Sequence, residues 1–107
     1  MMATPRILTI AHDHPDWTPG GTEIVAHDLH RAIERRGLQS TFLAAATSLQ
    51  RPEAQAGSLG RQGADMVLQT GGYDRFLMNR HDGLRWLDSL GRLMGELRPD
   101  VVHLHGL

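Results

Sequence analysis

The sequence predicts an α/β domain, a Rossmann-like parallel sheet with flanking helices, and three observations carry that reading. Apolar runs of strand length, at Ile7 to Ala11, Ser40 to Ala46 and Val101 to Leu104, are separated by segments with helical periodicity. Two βαβ-like units therefore stand in series, which implies parallel strands joined by right-handed crossovers. The first strand also runs into a polar, glycine-containing loop followed by a helix start, the place where open α/β sheets bind ligands.

The first strand, Ile7 to Ala11, is an apolar run broken only by Thr9, as a strand buried on both faces would be. The loop after it holds His12, Asp13, His14, Asp16 and Trp17, and Pro19-Gly20-Gly21-Thr22-Glu23 opens the helix. Adjacent glycines lack the Cβ atoms that would hold a ligand off the backbone, so the helix-start N–H groups can face an anion, most naturally a phosphate. The predicted helix runs from Thr22 to Arg36. Val25, Leu29, Ala32 and Ile33 form its apolar stripe, Glu23 stands at the end that favours anions, and Gly37 closes it. His27 and His30 are expected at its surface, as is His81 further on.

Ser40 to Ala46 is the second strand, Thr47 to Gly63 reads as loop, and Met66 to Thr70 is a short third strand ended by Gly71-Gly72. Tyr73 to Asn79 is expected to form a helical turn. From Gly83 to Arg98, Trp86, Leu90, Leu93 and Leu97 recur at helical spacing and are expected in the core. Pro99 stops that helix, and the stretch from Asp100 to Leu107 is the last strand, the fourth by this reading, carrying His103 and His105.

The 107 residues suit one small domain or part of a larger one. A net charge of −1 gives no field for nucleic acid. All 11 cationic side chains are Arg, and the cluster Arg31, Arg35 and Arg36 reads as a solvated helix end that also suits contact with anionic lipid. With no cysteine there is neither a disulfide framework nor a thiolate metal site. No stretch approaches about 18 consecutive apolar residues, and no signal segment precedes the first strand, so a cytoplasmic location is expected.

In Rossmann strand order the first and fourth strands are neighbours. His12, His14, His103 and His105 are then expected near one crevice beside Gly20-Gly21, joining phosphate-binding backbone to imidazole donors. The two His-x-His pairs, with Asp13 and Asp16, also suit a metal-dependent hydrolase. The Gly-Gly helix start has no purpose in such a site, and no metal or other cofactor is expected.

The Pro-Gly-Gly-x-Glu helix start, Arg-Arg-Gly at that helix's end and the later Arg-Pro-Asp-Val-Val-His-x-His together resemble the N-terminal domain of family 4 glycosyltransferases. The resemblance implies a retaining enzyme of the GT-B fold, with two Rossmann-like domains across a cleft. It implies that Gly20 and Gly21 approach the donor's diphosphate or sugar, and that a strand-end histidine reaches the transferred sugar, His105 by preference and His103 second. It also implies an acceptor pocket, for which His12, His14, Asp16 and Trp17 are the candidates.

The C-terminal, donor-binding domain of that family is absent from residues 1–107. The chain is therefore expected to be the first part of the N-terminal domain, inactive alone, with a nucleotide sugar, an acceptor and the missing domain as partners. A fourth strand at the chain end would leave an unpaired edge, which predicts self-association. The alternative to an enzyme half is a non-catalytic module that binds a nucleotide or anion in the same crevice.

Overall fold

The computed structural model describes residues 4–11, 13–17, 20–46, 50–55, 57–69 and 80–105, with backbone only for 80–87. His12, the expected turn at Tyr73 to Asn79, and the side chains of His81 and Trp86 lie outside the described residues. The elements are β1 (Arg6–Ala11), α1 (Gly21–Arg35), β2 (Gln39–Ala46), β3 (Leu59–Gln62), β4 (Asp65–Gln69), α2 (Arg80–Leu97) and β5 (Val101–His105).

They form one sheet of order β3-β4-β2-β1-β5. The pairs β4-β2, β2-β1 and β1-β5 are parallel, and β3 adds to β4 antiparallel. The four parallel strands therefore follow the expected Rossmann order, with the last beside the first. The strand predicted as fourth is fifth in the chain, because β3 lies within what reads as a loop. Gly57, Gly60 and Gly63 give that stretch its loop character, yet Gly63-Ala64 is a two-residue hairpin turn. Gly63 has φ +63°, as a type II′ turn requires at its first central position. At Gly60 the Arg51 guanidinium occupies the space a Cβ would need, so the glycine permits close packing inside a strand.

Alternation along the strands divides the core into two layers. Leu8, Leu43 and Leu68 point to one face and bury Leu93 of α2, with Leu90, Met94 and Leu97 packed around them. Ala11, Phe42 and Ala44 point to the other face and bury Ala26 of α1. The expected apolar stripe of α1 is corrected by the structure. Val25 is 61% exposed and Leu29 36%, whereas Glu23, Ala26 and His30 are buried, so a stripe of mixed polarity faces the sheet. His30 is a buried residue rather than a surface one, and His27 is half-buried.

The helix ends follow from short motifs. Gly37, φ +83°, closes α1 in a Schellman arrangement, its N–H donating to Glu34 O and Leu38 N–H to Ile33 O. In Arg98-Pro99-Asp100 the proline ends α2, and Asp100 bridges to the start of β1. Its N–H donates to Arg6 O at 2.7 Å and its Oδ2 accepts from Arg6 N–H at 2.8 Å. The Arg-Pro-Asp segment thus sets the β1–β5 register. No helix among the described residues is long and apolar enough to cross a membrane.

Candidate functional site

Two places on the α1 face gather polar side chains. The first is the carboxyl end of the parallel strands. Ala11 and His105 are register partners, so the last residue of β5 sits beside the last residue of β1. Alternation puts His105 and His103 on the face that α1 covers, with ring centroids 6.0 Å apart. His103 is exposed and His105 half-buried.

Gly20 and Gly21 begin α1 above the end of β1. Gly20 is the N-cap and supplies no side-chain hydrogen bond, which leaves first-turn amides able to donate. A Cβ on Gly20 would lie 2.5 Å from Glu23 Oε2, so this glycine admits a carboxylate of its own helix; a Cβ on Gly21 would meet nothing within 4 Å among the described residues. The open approach to the helix start is therefore on the Gly21 side.

The second place is a cluster beneath α1. His14, from the loop after β1, sends Nε2 to Asp65 Oδ2 at 2.7 Å, and His27 of α1 sends its Nε2 to the same oxygen at 2.7 Å. Because His14 Nδ1 accepts from Asp16 N–H at 3.1 Å, its proton is on Nε2 and is donated to the carboxylate. His30 Nε2 lies 3.3 Å from Glu34 Oε1 and 3.6 Å from Asp65 Oδ1, while its Nδ1 is 2.7 Å from Ser40 Oγ. Phe42 is the floor, its ring centroid 4.8 Å from that of His27 and 5.8 Å from that of His14.

Burial pushes the Asp65 carboxyl up, but the hydrogen bonds and charges of His14 and His27 outweigh it and hold the group below its ordinary value. For His30, burial is the largest influence and lowers the imidazole's pKa. Glu34 and Asp65 pull it up without restoring it.

This geometry corrects the expectation that His14 shares a crevice with His103 and His105. Its ring is 2.7 Å from Asp65 on β4, and β4 and β5 are separated by three strand spacings, roughly 14 Å. The loop is stitched to the β3–β4 hairpin a second time by Gln62 Nε2 donating to Asp16 Oδ2 at 3.1 Å. Trp17 is half-buried with its ring 5.8 Å from that of His14, and Asp16 is exposed. Sequence reasoning missed Asp65, His27 and His30. A signal was present, since Glu23, His27 and His30 stand at i, i+4 and i+7, a polar stripe on one helix face.

A mostly parallel sheet in this order, covered by α1 on one face and α2 on the other, defines a Rossmann-like α/β domain with a glycine-marked helix start beside its first strand. The family model for Glycosyltransferase Family 4 matches residues 19–107, and the chain belongs to that family. The match begins at this helix start and leaves β1 and the loop bearing His14 outside it. Comparison with curated proteins and with solved structures gives no match.

Proposed function

We propose that this chain is the acceptor-side part of a GT-B glycosyltransferase that moves a sugar from a nucleotide-sugar donor to an acceptor with retention of anomeric configuration. Membership of the family supports a transferase. The observation that supports the site reading is the register pairing of Ala11 with His105, which puts the late histidine beside the end of β1 that leads into the Gly20-Gly21 helix start.

During transfer the bond from the sugar's anomeric carbon to the diphosphate breaks, a bond to the acceptor oxygen forms, and the acceptor's proton leaves with the departing phosphate. Charge develops on that phosphate. The uncapped amides of α1 are donors for it, and Glu23 confines its approach to the Gly21 side. His105 hydrogen-bonds the sugar and fixes its orientation. Asp16 and Trp17 border the acceptor, whereas the buried His14 holds their loop in place. A second Rossmann-like domain holds the nucleotide, so residues 1–107 alone do not turn over.

The test is a transfer assay of the full-length protein against a panel of nucleotide sugars, with Gly21→Val and His105→Ala beside the wild type. A Cβ at Gly21 meets no atom of the described residues within 4 Å, so the Val variant is expected to fold and to block a ligand. Each variant is expected to lose transfer by about 100-fold or more at unchanged melting temperature. Normal turnover by both would remove these residues from the site.

A further inference from the structure

We infer that His14, His27 and Asp65 form a binding site for a divalent transition metal ion of the zinc class, set under α1 and separate from the sheet-end crevice. The three ligands come from three elements, the loop after β1, α1 and β4, and their donor atoms lie within 4.8 Å of one another. His14 and Asp65 side chains are 3% and 10% exposed, and that of His27 is 18% exposed, so the site is enclosed yet reachable from the His27 side.

The donor set selects the ion. Two imidazole nitrogens and one carboxylate oxygen suit Zn2+, Co2+ or Ni2+; Ca2+ and Mg2+ require more oxygens than are present. Three protein ligands leave a fourth position for water or for His30, whose Nε2 is 3.6 Å from Asp65 Oδ1.

The site needs little rearrangement. Bonds of about 2.0–2.1 Å in a tetrahedron place ligand atoms about 3.3 Å apart. Each 2.7 Å nitrogen–oxygen separation therefore opens by about 0.6 Å, and the two imidazole nitrogens, which with the carboxylate oxygen lie within 4.8 Å of one another, come to the same spacing by side-chain rotation as the ion takes the place of the shared protons. Each imidazole remains neutral, its proton passing from Nε2 to Nδ1. For His14 the acceptor of the relocated proton is at hand, Asp16 Oδ2 at 3.6 Å from Nδ1, on a side chain that is 60% exposed and free to turn towards it. A carboxylate behind a metal-bound imidazole is a recurring support for such sites.

The fold also accounts for what the ion would do. Beneath a helix packed on a sheet, apolar side chains are the expected filling, yet here imidazoles and a carboxylate fill the space while Val25 and Leu29 face solvent. An ion joins the loop before Gly20-Gly21 to both α1 and the β3–β4 hairpin, a three-way tie that two hydrogen bonds to one oxygen make only weakly.

The test is metal titration of the chelator-stripped protein with Zn2+ by calorimetry and with Co2+ by visible absorption. One ion per chain is expected, with the intense absorption of tetrahedral Co2+. His14→Gln, His27→Gln and Asp65→Asn should each weaken binding by about 100-fold or more, Asp16→Asn by about 10-fold, and His103→Gln not at all. Asp65→Asn keeps a carbonyl oxygen for both imidazoles, so it separates loss of the ion from loss of the fold. In the stripped wild type, adding Zn2+ should lower imidazole acylation of His27, the partly exposed ligand, and leave that of the exposed His103 unchanged. Absence of stoichiometric binding by the wild type, unchanged affinity in the ligand variants, or His27 labelling unaffected by Zn2+ would each overturn the assignment.

Discussion

Replacing Asp65 with Ala, in protein kept free of metal by chelator, is expected to lower the unfolding free energy at neutral pH by about 2–4 kcal/mol. The carboxylate accepts from two imidazole N–H groups on one oxygen. His14, with its side chain 3% exposed, has no water to turn to, and an unpaired buried donor costs about 1–3 kcal/mol. His27, 18% exposed, reaches solvent and loses only the net value of a hydrogen bond, about 1 kcal/mol. Asp65→Asn, which keeps an acceptor oxygen but no charge, should cost less than half as much. Urea denaturation followed by circular dichroism reads the difference. The pH dependence has a definite sign. The folded carboxyl lies below its ordinary 3.8, so its ionised form contributes stability fully above that value. The gap between wild type and Ala variant should then close as the pH falls through the lower, folded value. An Ala variant within about 0.5 kcal/mol of wild type, or an Asn variant as damaged as Ala, would refute the reasoning.

Two further outcomes follow from single residues. Burial lowers the His30 pKa, so the unfolded chain takes up its proton first as the pH drops below 6.5, and metal-free protein should lose stability over that interval. His30→Gln should flatten the loss in an acid titration of stability; an unchanged slope would assign it elsewhere. Gly37→Ala forces a Cβ into φ +83° and should destabilise by about 1–2 kcal/mol. Gly91→Ala, inside α2 with nothing within 4 Å among the described residues, should stabilise by about 0.5–1 kcal/mol, and thermal melts of the pair should move in opposite directions.

The strand and helix alternation was legible because the central strands are largely apolar, Thr9 alone interrupting Ile7 to Ala11 and Phe42 to Ala46 being apolar, and because each helix ends on a recognisable signal, Gly37 or Pro99. Strand order was legible too, since parallel strands joined by helices admit few arrangements. The β3–β4 hairpin was not, because Leu59-Gly60-Arg61-Gln62 has no alternating pattern and its place in the sheet depends on pairing with β4 and on Arg51 filling the gap over Gly60. The inner face of α1 was misjudged for a related reason. Periodicity locates a stripe but ranks it by hydropathy, and here the sheet opposite offers Asp65 and Ser40 as partners for histidines. His14 could be placed near the first strand's end from sequence, but not turned towards β4, since that depends on Asp65, 51 positions away. The place of His105 beside the end of the first strand was legible, because the order of parallel strands puts the last next to the first.

The sheet is asymmetric at its two flanks. One ends in the four-residue β3, turned back by a tight hairpin and too short to template much pairing. The other ends in β5, five residues long and parallel, with Val101 and Leu104 43% and 61% exposed and its outer amides and carbonyls unmatched among the described residues. Any strand that extends the layer, from this polypeptide or another, therefore arrives on the flank bearing His103 and His105. Growth of the architecture and access to those two imidazoles are thus one geometric question, and whatever docks on that rim also frames their surroundings.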